Sequence, residues 1–308
     1  MNTKLKGFLQ GCVAAACYGT IPIFAIPLYG HGMTSNSVLF FRYLLAVPIL
    51  VAMMLARRRS FALQRRQMLS VLGLGLMMSV SSITLFLSYH YMGAGIASTL
   101  LFVYPILVAV IMAVCYHERT SRSTIVCIAM ALAGILLLYR TNDGDTLSTT
   151  GILLVFGSAL SYAIYLVGIN RSTVKDLPTL TLTFYVVIIG LLMFACYGFA
   201  CRDVSLPARA VDWLYILGLA VLPTAISFLC TTAAIANVGS TPTAILGALE
   251  PTTAVVLGVL FLNEALTPRM ALGMTLIIVA VTIIIAGGRL SNHLTRYRKL
   301  FPRVLRKH

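Results

Sequence analysis

Ten apolar runs, each near the ~20 residues that a helix needs to cross a hydrocarbon core ~30 Å thick, constrain this chain more than anything else in it. They lie at about residues 7–29, 37–56, 68–91, 95–116, 122–139, 150–169, 179–200, 211–233, 241–263 and 268–287. The gaps are short and leave no room for a soluble domain. Only 10% of the 308 residues are charged, against roughly 25% in soluble proteins. The expected fold is therefore an all-α integral membrane bundle of ten transmembrane helices. Lys and Arg outnumber Asp and Glu 23 to 8. In a soluble protein that surplus would suggest nucleic acid. Here the basic residues fall between the apolar runs, so no nucleic-acid partner is expected and the charge reads as topology.

With the N-terminus inside, the inner segments hold Lys4, Lys6, five arginines from Arg57 to Arg66, Arg119, Arg122, Arg171, Lys175 and seven basic residues from Arg289 onward. The outer segments hold only Arg140, Arg202, Arg209 and Arg269. Eighteen against four is a strong positive-inside signal, and it predicts that both termini are cytoplasmic. The tail at 289–308 is expected to hold the last helix end at anionic lipids, at about 1 kcal/mol per basic residue. The first run continues to about Tyr29, so it reads as a retained span and not as a signal peptide.

The chain also repeats itself. Gly93, Pro105 and Glu118 match Gly239, Pro251 and Glu264 at one constant offset. This suggests two five-span repeats, 8–139 and 151–286, joined by the polar linker 139–147. An odd number of spans places the second copy upside down, and inverted repeats are a common build for secondary transporters. The 7 cysteines fall mostly inside apolar runs without metal-ligand partners and read as small buried hydrophobes. No metal or other cofactor is expected.

Several short patterns carry a resemblance. They are Tyr18-Gly19 and Phe24 in the first run, and Phe41-Arg42-Tyr43-Leu44-Leu45-Ala46 in the second. Pro105 and Glu118 follow in the fourth, Gly134 in the fifth, and Leu249-Glu250-Pro251 with Asn263-Glu264 in the ninth. In this order and doubled spacing they resemble the drug/metabolite transporter superfamily, in the form with two EamA-type domains. One departure is Tyr18, where that family usually has Trp. The resemblance implies a ten-helix carrier of the bacterial inner membrane with a central cavity. Proteins of this family move amino acids, drugs, sugars and other metabolites, often outward, so a small-molecule substrate is implied but not its identity.

Glu250 stands about ten residues into the ninth run, near the middle of the hydrocarbon core. On an unbroken helix Thr243, Gly247, Glu250, Ala254 and Gly258 share a small, polar face. Pro251 is expected to leave one backbone carbonyl unpaired and to bend the helix. Two roles fit Glu250 equally: a proton carrier or partner for a substrate amine, and an acid held neutral between helices. Its first-half counterpart is Tyr104 beside Pro105, so the repeats differ chemically at midplane. Pro105 and Pro251 are the expected helix-break positions.

Arg42, about five residues inside the outer end of its run, is expected to snorkel to the headgroups. The alternative is binding a substrate carboxylate in an outward vestibule. Hydroxyl stripes at Ser81, Thr84 and Ser88, and at Thr224, Ser227 and Thr231, are expected mainly to bond back to their own helices. Tyr89 and His90 extend the first stripe. Tyr162, Tyr165 and Asn170, with Tyr18 and Thr20, are placed to line a cavity suited to a small organic substrate. Glu118 is expected to pair with Arg119 or Arg122, and Glu264 with Arg269.

The leading function is a secondary carrier using alternating access, with proton exchange through Glu250 as one option and an uncoupled uniporter or channel as another. No Walker A loop is present. An enzyme is disfavoured: His117-Glu118-Arg119-Thr120-Ser121 lacks the second histidine of HExxH, and no Gly-x-Ser-x-Gly elbow occurs. A non-transporting membrane protein is the remaining class.

Overall fold

The computed structural model describes residues 3–88, 91, 97, 100–118, 121–138, 148–201, 203–261 and 267–283, and among these every regular element is helical. Lipid offers the backbone no hydrogen-bond partners, so an apolar chain must pair its own N–H and C=O groups, as a helix does. The helices are α1 (Thr3–Tyr18), α2 (Ile21–Gly30), α3 (Ser35–Ala56), α4 (Arg65–Ser88), α5 (Tyr104–Tyr116), α6 (Arg122–Leu138) and α7 (Thr149–Arg171). Then come α8 (Thr179–Cys201), α9 (Ala210–Leu219), a π-helical turn at Ala220–Ile226, α10 (Ser227–Val238), α11 (Ser240–Leu246), α12 (Leu249–Phe261) and α13 (Pro268–Ile283). Seven stretches are long and apolar enough to cross a membrane: α1–α2, α3, α4, α7, α8, α9–α10 and α11–α12. Three shorter apolar helices, α5, α6 and α13, occupy the places of the fourth, fifth and tenth runs. Tyr89, His90, Glu264 and the 289–308 tail lie outside the described residues.

Several of these stretches are interrupted, and each interruption satisfies its own backbone. The ninth run is two helices, not the single one expected, with a turn at Gly247–Ala248. Pro251 does not leave the Gly247 carbonyl unpaired, because the Glu250 N–H donates to it at 2.9 Å in a tightened turn. Pro251 sits in the first turn of α12, where no intrahelical N–H bond is required of it. Pro105 likewise is the second residue of α5, just after a turn at Phe102–Val103. The first run breaks at Gly19–Thr20, and the Thr20 hydroxyl donates to the Cys17 carbonyl at 2.6 Å. In the eighth run Pro223 cannot donate to Leu219, and the Thr224 hydroxyl takes its place at 2.7 Å.

Two of the breaks cross. A Cβ on Gly19 would come within 2.5 Å of the Glu250 carbonyl oxygen and 2.8 Å of the Thr253 Cβ. Only glycine lets these backbones approach so closely.

The helix contacts come in pairs that exchange when the two halves are swapped. α1 packs on α10 as α7 packs on α4, and α5 lies on α7 as α11 and α12 lie on α1. α3 and α8, counterparts of each other, pack together. Most of the close helix packing among the described residues is therefore between the halves. At its centre Tyr43 sits edge-on between Phe194 and Phe228, with centroids 5.0 and 6.0 Å away. Large apolar side chains such as Leu153, Phe199, Leu260 and Ile278 stay exposed and form the lipid-facing surface.

Polar ties close the ends. Asp212, fully buried, bonds His31 Nδ1 at 2.6 Å and accepts the Arg209 N–H at 3.0 Å, which fixes the end of α2 to the start of α9. Glu118 pairs with Arg171 of the second half at 2.5 Å; of its two expected partners, Arg122 forms no ion pair with it and Arg119 lies outside the described residues. Both members are half-exposed, so the pair contributes at most about 1 kcal/mol.

The crossing gives the first prediction. Gly19→Ala presses a methyl group onto a backbone carbonyl that cannot swing aside. It should destabilise the detergent-solubilised protein by about 1–3 kcal/mol. Gly157→Ala, with open space at its Cβ position, should stay within about 0.5 kcal/mol of the parent. Thermal unfolding followed by fluorescence reads both, and equal melting temperatures would refute the close crossing.

Candidate functional site

The interruptions converge on a cavity at the centre of the bundle. Tyr18 reaches it from the end of α1, Tyr104 from the start of α5, and Tyr162 and Tyr165 from α7. Thr231 comes from α10, Thr243 and Gly247 from α11 and its end, and Glu250 from the first turn of α12. Six of the residues singled out by sequence thus meet in one place. Gly11, Ala14 and Ala15 of α1 with Met78 and Phe228 complete much of the wall. The space at the centre is about 30 Å³, room for one or two waters. The cavity is closed down around its side chains.

The wall is aromatic and ordered. Tyr104 meets Tyr162 edge-on at 4.8 Å, and Tyr162 stacks with Tyr165 at 6.1 Å and 18°. The Tyr104 hydroxyl donates to the Ala244 carbonyl at 3.2 Å, one turn before the α11–α12 break. A Cβ on Gly247 would overlap that hydroxyl, so the glycine makes room for the phenol. Tyr104 and Glu250, at matching positions of the two halves, end up in the same cavity.

Glu250 is, among the described residues, the one carboxylic acid in that wall. Among the described residues its carboxylate has no ion pair, and no side-chain hydrogen bond to it is found. Tyr18, Tyr104 and Tyr162 line the same cavity.

Arg42 departs from expectation. It does not snorkel to the headgroups; it is 1% exposed, in the interior behind Tyr18. Its guanidinium carbon lies 5.2 Å from the centroid of the Tyr43 ring. Its Nε and Nη2 find no hydrogen-bond partner among the described residues, and neither does the Tyr43 hydroxyl. Tyr18 thus has a buried cation, Arg42, and a part-buried acid, Glu250, for neighbours.

Other expected site residues go elsewhere. Thr20 caps the break in the first run and does not line the cavity. Ser88 is buried and bonds back to the Leu85 carbonyl at 2.6 Å, and Thr84 bonds back to Val80 at 2.7 Å. Ser81 instead bridges to Ser158 of α7. The second stripe loses one member to the π turn: Thr224 serves Leu219, whereas Ser227, which also donates to the Ala14 carbonyl at 2.9 Å, and Thr231 both keep to the cavity. Asn170 reaches Ser240 at 3.5 Å, one turn beyond the cavity. Met78, Phe228 and Gly11 were not picked out beforehand, since an apolar wall residue on an apolar helix carries no distinguishing signal. Asp212 was also passed over. An acid three residues past a cap position just before an apolar run was its available signal.

The model of the EamA-like transporter family matches the chain twice, at residues 5–140 and 149–286. The chain belongs to this family. An uncharacterized transporter of Archaeoglobus fulgidus is 25% identical over 276 residues, spanning 88% of this chain and 93% of the relative. The threonine/homoserine exporter RhtA of Escherichia coli is 28% identical over 245 residues, 78% of each chain. A solved crystal structure superposes with a TM-score of 0.79 over 94% of this chain and 98% of its own at 18% identity, which shows the shared fold. The chain is a multi-pass membrane transporter of the drug/metabolite kind and not an enzyme.

Two substitutions test the electrostatics of the site. Arg42 is a buried charge with two of its three nitrogens unsatisfied, and an apolar side chain of similar volume often replaces a buried charge at no loss. Arg42→Met should leave the melting temperature in detergent unchanged or raise it. Tyr104→Phe should cost about 1 kcal/mol through its bond to Ala244. A clear fall for Arg42→Met would mean that the guanidinium already holds a stabilising partner.

Proposed function

We propose that this protein is a secondary transporter that exports zwitterionic, amino-acid-like metabolites across the bacterial inner membrane. It would work by alternating access between inverted repeats, 8–139 and 151–286, with both termini and the basic tail on the cytoplasmic side. One observation carries this reading: an unpaired carboxylate, Glu250, in a tyrosine-walled cavity where broken helices meet. Discontinuous helices at a midplane site are a recurring feature of secondary transporters. Glu250 suits a substrate amine, and Arg42, behind Tyr18, suits a carboxylate once Tyr18 moves aside. The tyrosine rings supply the apolar surface such a small ligand needs. The relative named a threonine/homoserine exporter supports the same substrate class.

A cavity of about 30 Å³ is far below the roughly 300 Å³ of a ligand pocket. Substrate entry therefore requires the walls to move, as alternating access demands. The same carboxylate cannot hold a proton and a substrate ammonium ion with equal strength, so proton antiport through Glu250 follows from this reading.

The test is flux from proteoliposomes loaded with L-threonine, L-homoserine and a panel of other amino acids, with and without a pH gradient. The expected result is saturable efflux driven by the gradient. Glu250→Gln should lose the response to the gradient while remaining folded, and Arg42→Met should lose flux without losing stability. Saturable flux indifferent to the gradient would leave a uniporter and reduce Glu250 to recognition. Absence of flux across the panel with folded protein would sink the substrate class.

A further inference from the structure

A second cavity lies one helical turn from the first and is much larger, about 330 Å³, which is ligand-sized. The two share helices. On α7, Tyr165 and Leu166 line the central cavity, and Ile169 and Asn170 line the second. On α10, Thr231 faces the first, and Thr232 and Ala236 face the second. Four residues along a helix span about 6 Å, so a thin partition separates the two spaces. That partition is Tyr165 and Thr232, both buried, whose side chains face each other. Thr232 also donates to the Phe228 carbonyl at 2.8 Å and meets the Thr183 hydroxyl at 3.4 Å.

The rim of the second cavity is the α7–α8 connection. Lys175 and Asp176 line it, exposed and without an ion pair among the described residues. This connection belongs to the basic set of segments, with Arg171 beside it, and charge asymmetry places that set in the cytoplasm. The cavity therefore opens on the side from which an exporter takes its cargo.

We propose that this cavity is the cytoplasmic antechamber of the transport path, a weak binding site for zwitterionic solutes. Lys175 and Asp176 attract the two ends of the solute, and the Tyr165–Thr232 partition is the gate between antechamber and Glu250. Its choice of solute rests on the function proposed above; its access and its gate do not.

Thiol labelling tests it independently of flux. Ala236→Cys places a thiol in the antechamber and Thr231→Cys one in the central cavity, each compared with the parent and its native cysteines by intact mass. A charged, membrane-impermeant methanethiosulfonate reagent should add one label to Ala236→Cys in inside-out vesicles and none in right-side-out vesicles. Labelling from the outside, or from neither side, overturns the antechamber. Thr231→Cys should react slowly from the inside, and adding Tyr165→Ala should speed it about tenfold, the change given by a barrier lowered by ~1.4 kcal/mol. If the alanine variant does not fold, Tyr165→Leu serves, since it too removes the ring and hydroxyl. An unchanged rate in the folded variant overturns the gate. Millimolar L-threonine should slow labelling of Ala236→Cys severalfold, and Lys175→Gln with Asp176→Asn should abolish that protection. No protection in the parent background overturns the binding site. Failure of the flux assay alone, with labelling, gating and protection as stated, would count against the exporter reading and leave this site standing.

Discussion

The rest of this structure depends on one constraint: a helix interrupted inside a membrane must satisfy its freed backbone groups without water. Each unpaired group there costs several kcal/mol. The chain meets this demand locally. Glu250 N–H closes the turn onto Gly247, Thr20 onto Cys17, and the Thr224 hydroxyl onto the carbonyl that Pro223 cannot reach. Because each break is closed in this way, the two breaks at Gly19–Thr20 and Gly247–Ala248 can lie against each other at the centre of the bundle. The aromatic side chains and the acid beside them then face a common space instead of lipid.

The same geometry explains why the two halves can share one site while differing chemically. Counterpart helices pack across the halves in exchangeable pairs, so equivalent positions are brought to the same central region. Tyr104 and Glu250 are such equivalents. Tyr104 is consumed structurally by its bond to Ala244, in the space that Gly247 leaves, whereas no such bond fixes Glu250 among the described residues. A duplicated scaffold therefore presents one free acid, with the tyrosine serving as wall.

Much of this was legible in the sequence because polar and aromatic residues within apolar runs are few and costly, and so stand out. Glu250, Tyr104, Tyr18, Tyr162, Tyr165 and Thr231 converge for that reason. What the sequence concealed depends on contacts made at long range or on equivalent local choices. Arg42 had the reach to snorkel or to bury, and only the packing of α3 against its neighbours decides between them. Glu118 also pairs with an arginine far away in sequence, Arg171, because α5 lies along α7. Pro251 announced a break, but a three-residue bond and an unpaired carbonyl look the same in one dimension. The π turn at Ala220–Ile226 took Thr224 out of a hydroxyl stripe that reads as regular on an ideal helix.

The relative size of the two cavities bears on how such a molecule works. Arg42 and Glu250 both neighbour Tyr18, with neither paired to the other among the described residues. Separated charges in a low-dielectric interior are costly, and they persist where something intermittently present compensates them. A proton can do this for the acid alone. A zwitterion can do it for both, but only if Tyr18 and its neighbours part to admit it. On the transport reading proposed above, the space of about 30 Å³ at the centre would be the collapsed state of such a site, and the roughly tenfold larger space behind Tyr165, about 330 Å³, the place where an arriving solute waits. In that view the tyrosines do two jobs. They shield the charges from each other when the site is empty, and they are the surfaces that must move when it fills. On that proposed reading, the cost of holding Arg42 and Glu250 in the interior would be part of the driving force for closing around a substrate that carries both complementary charges.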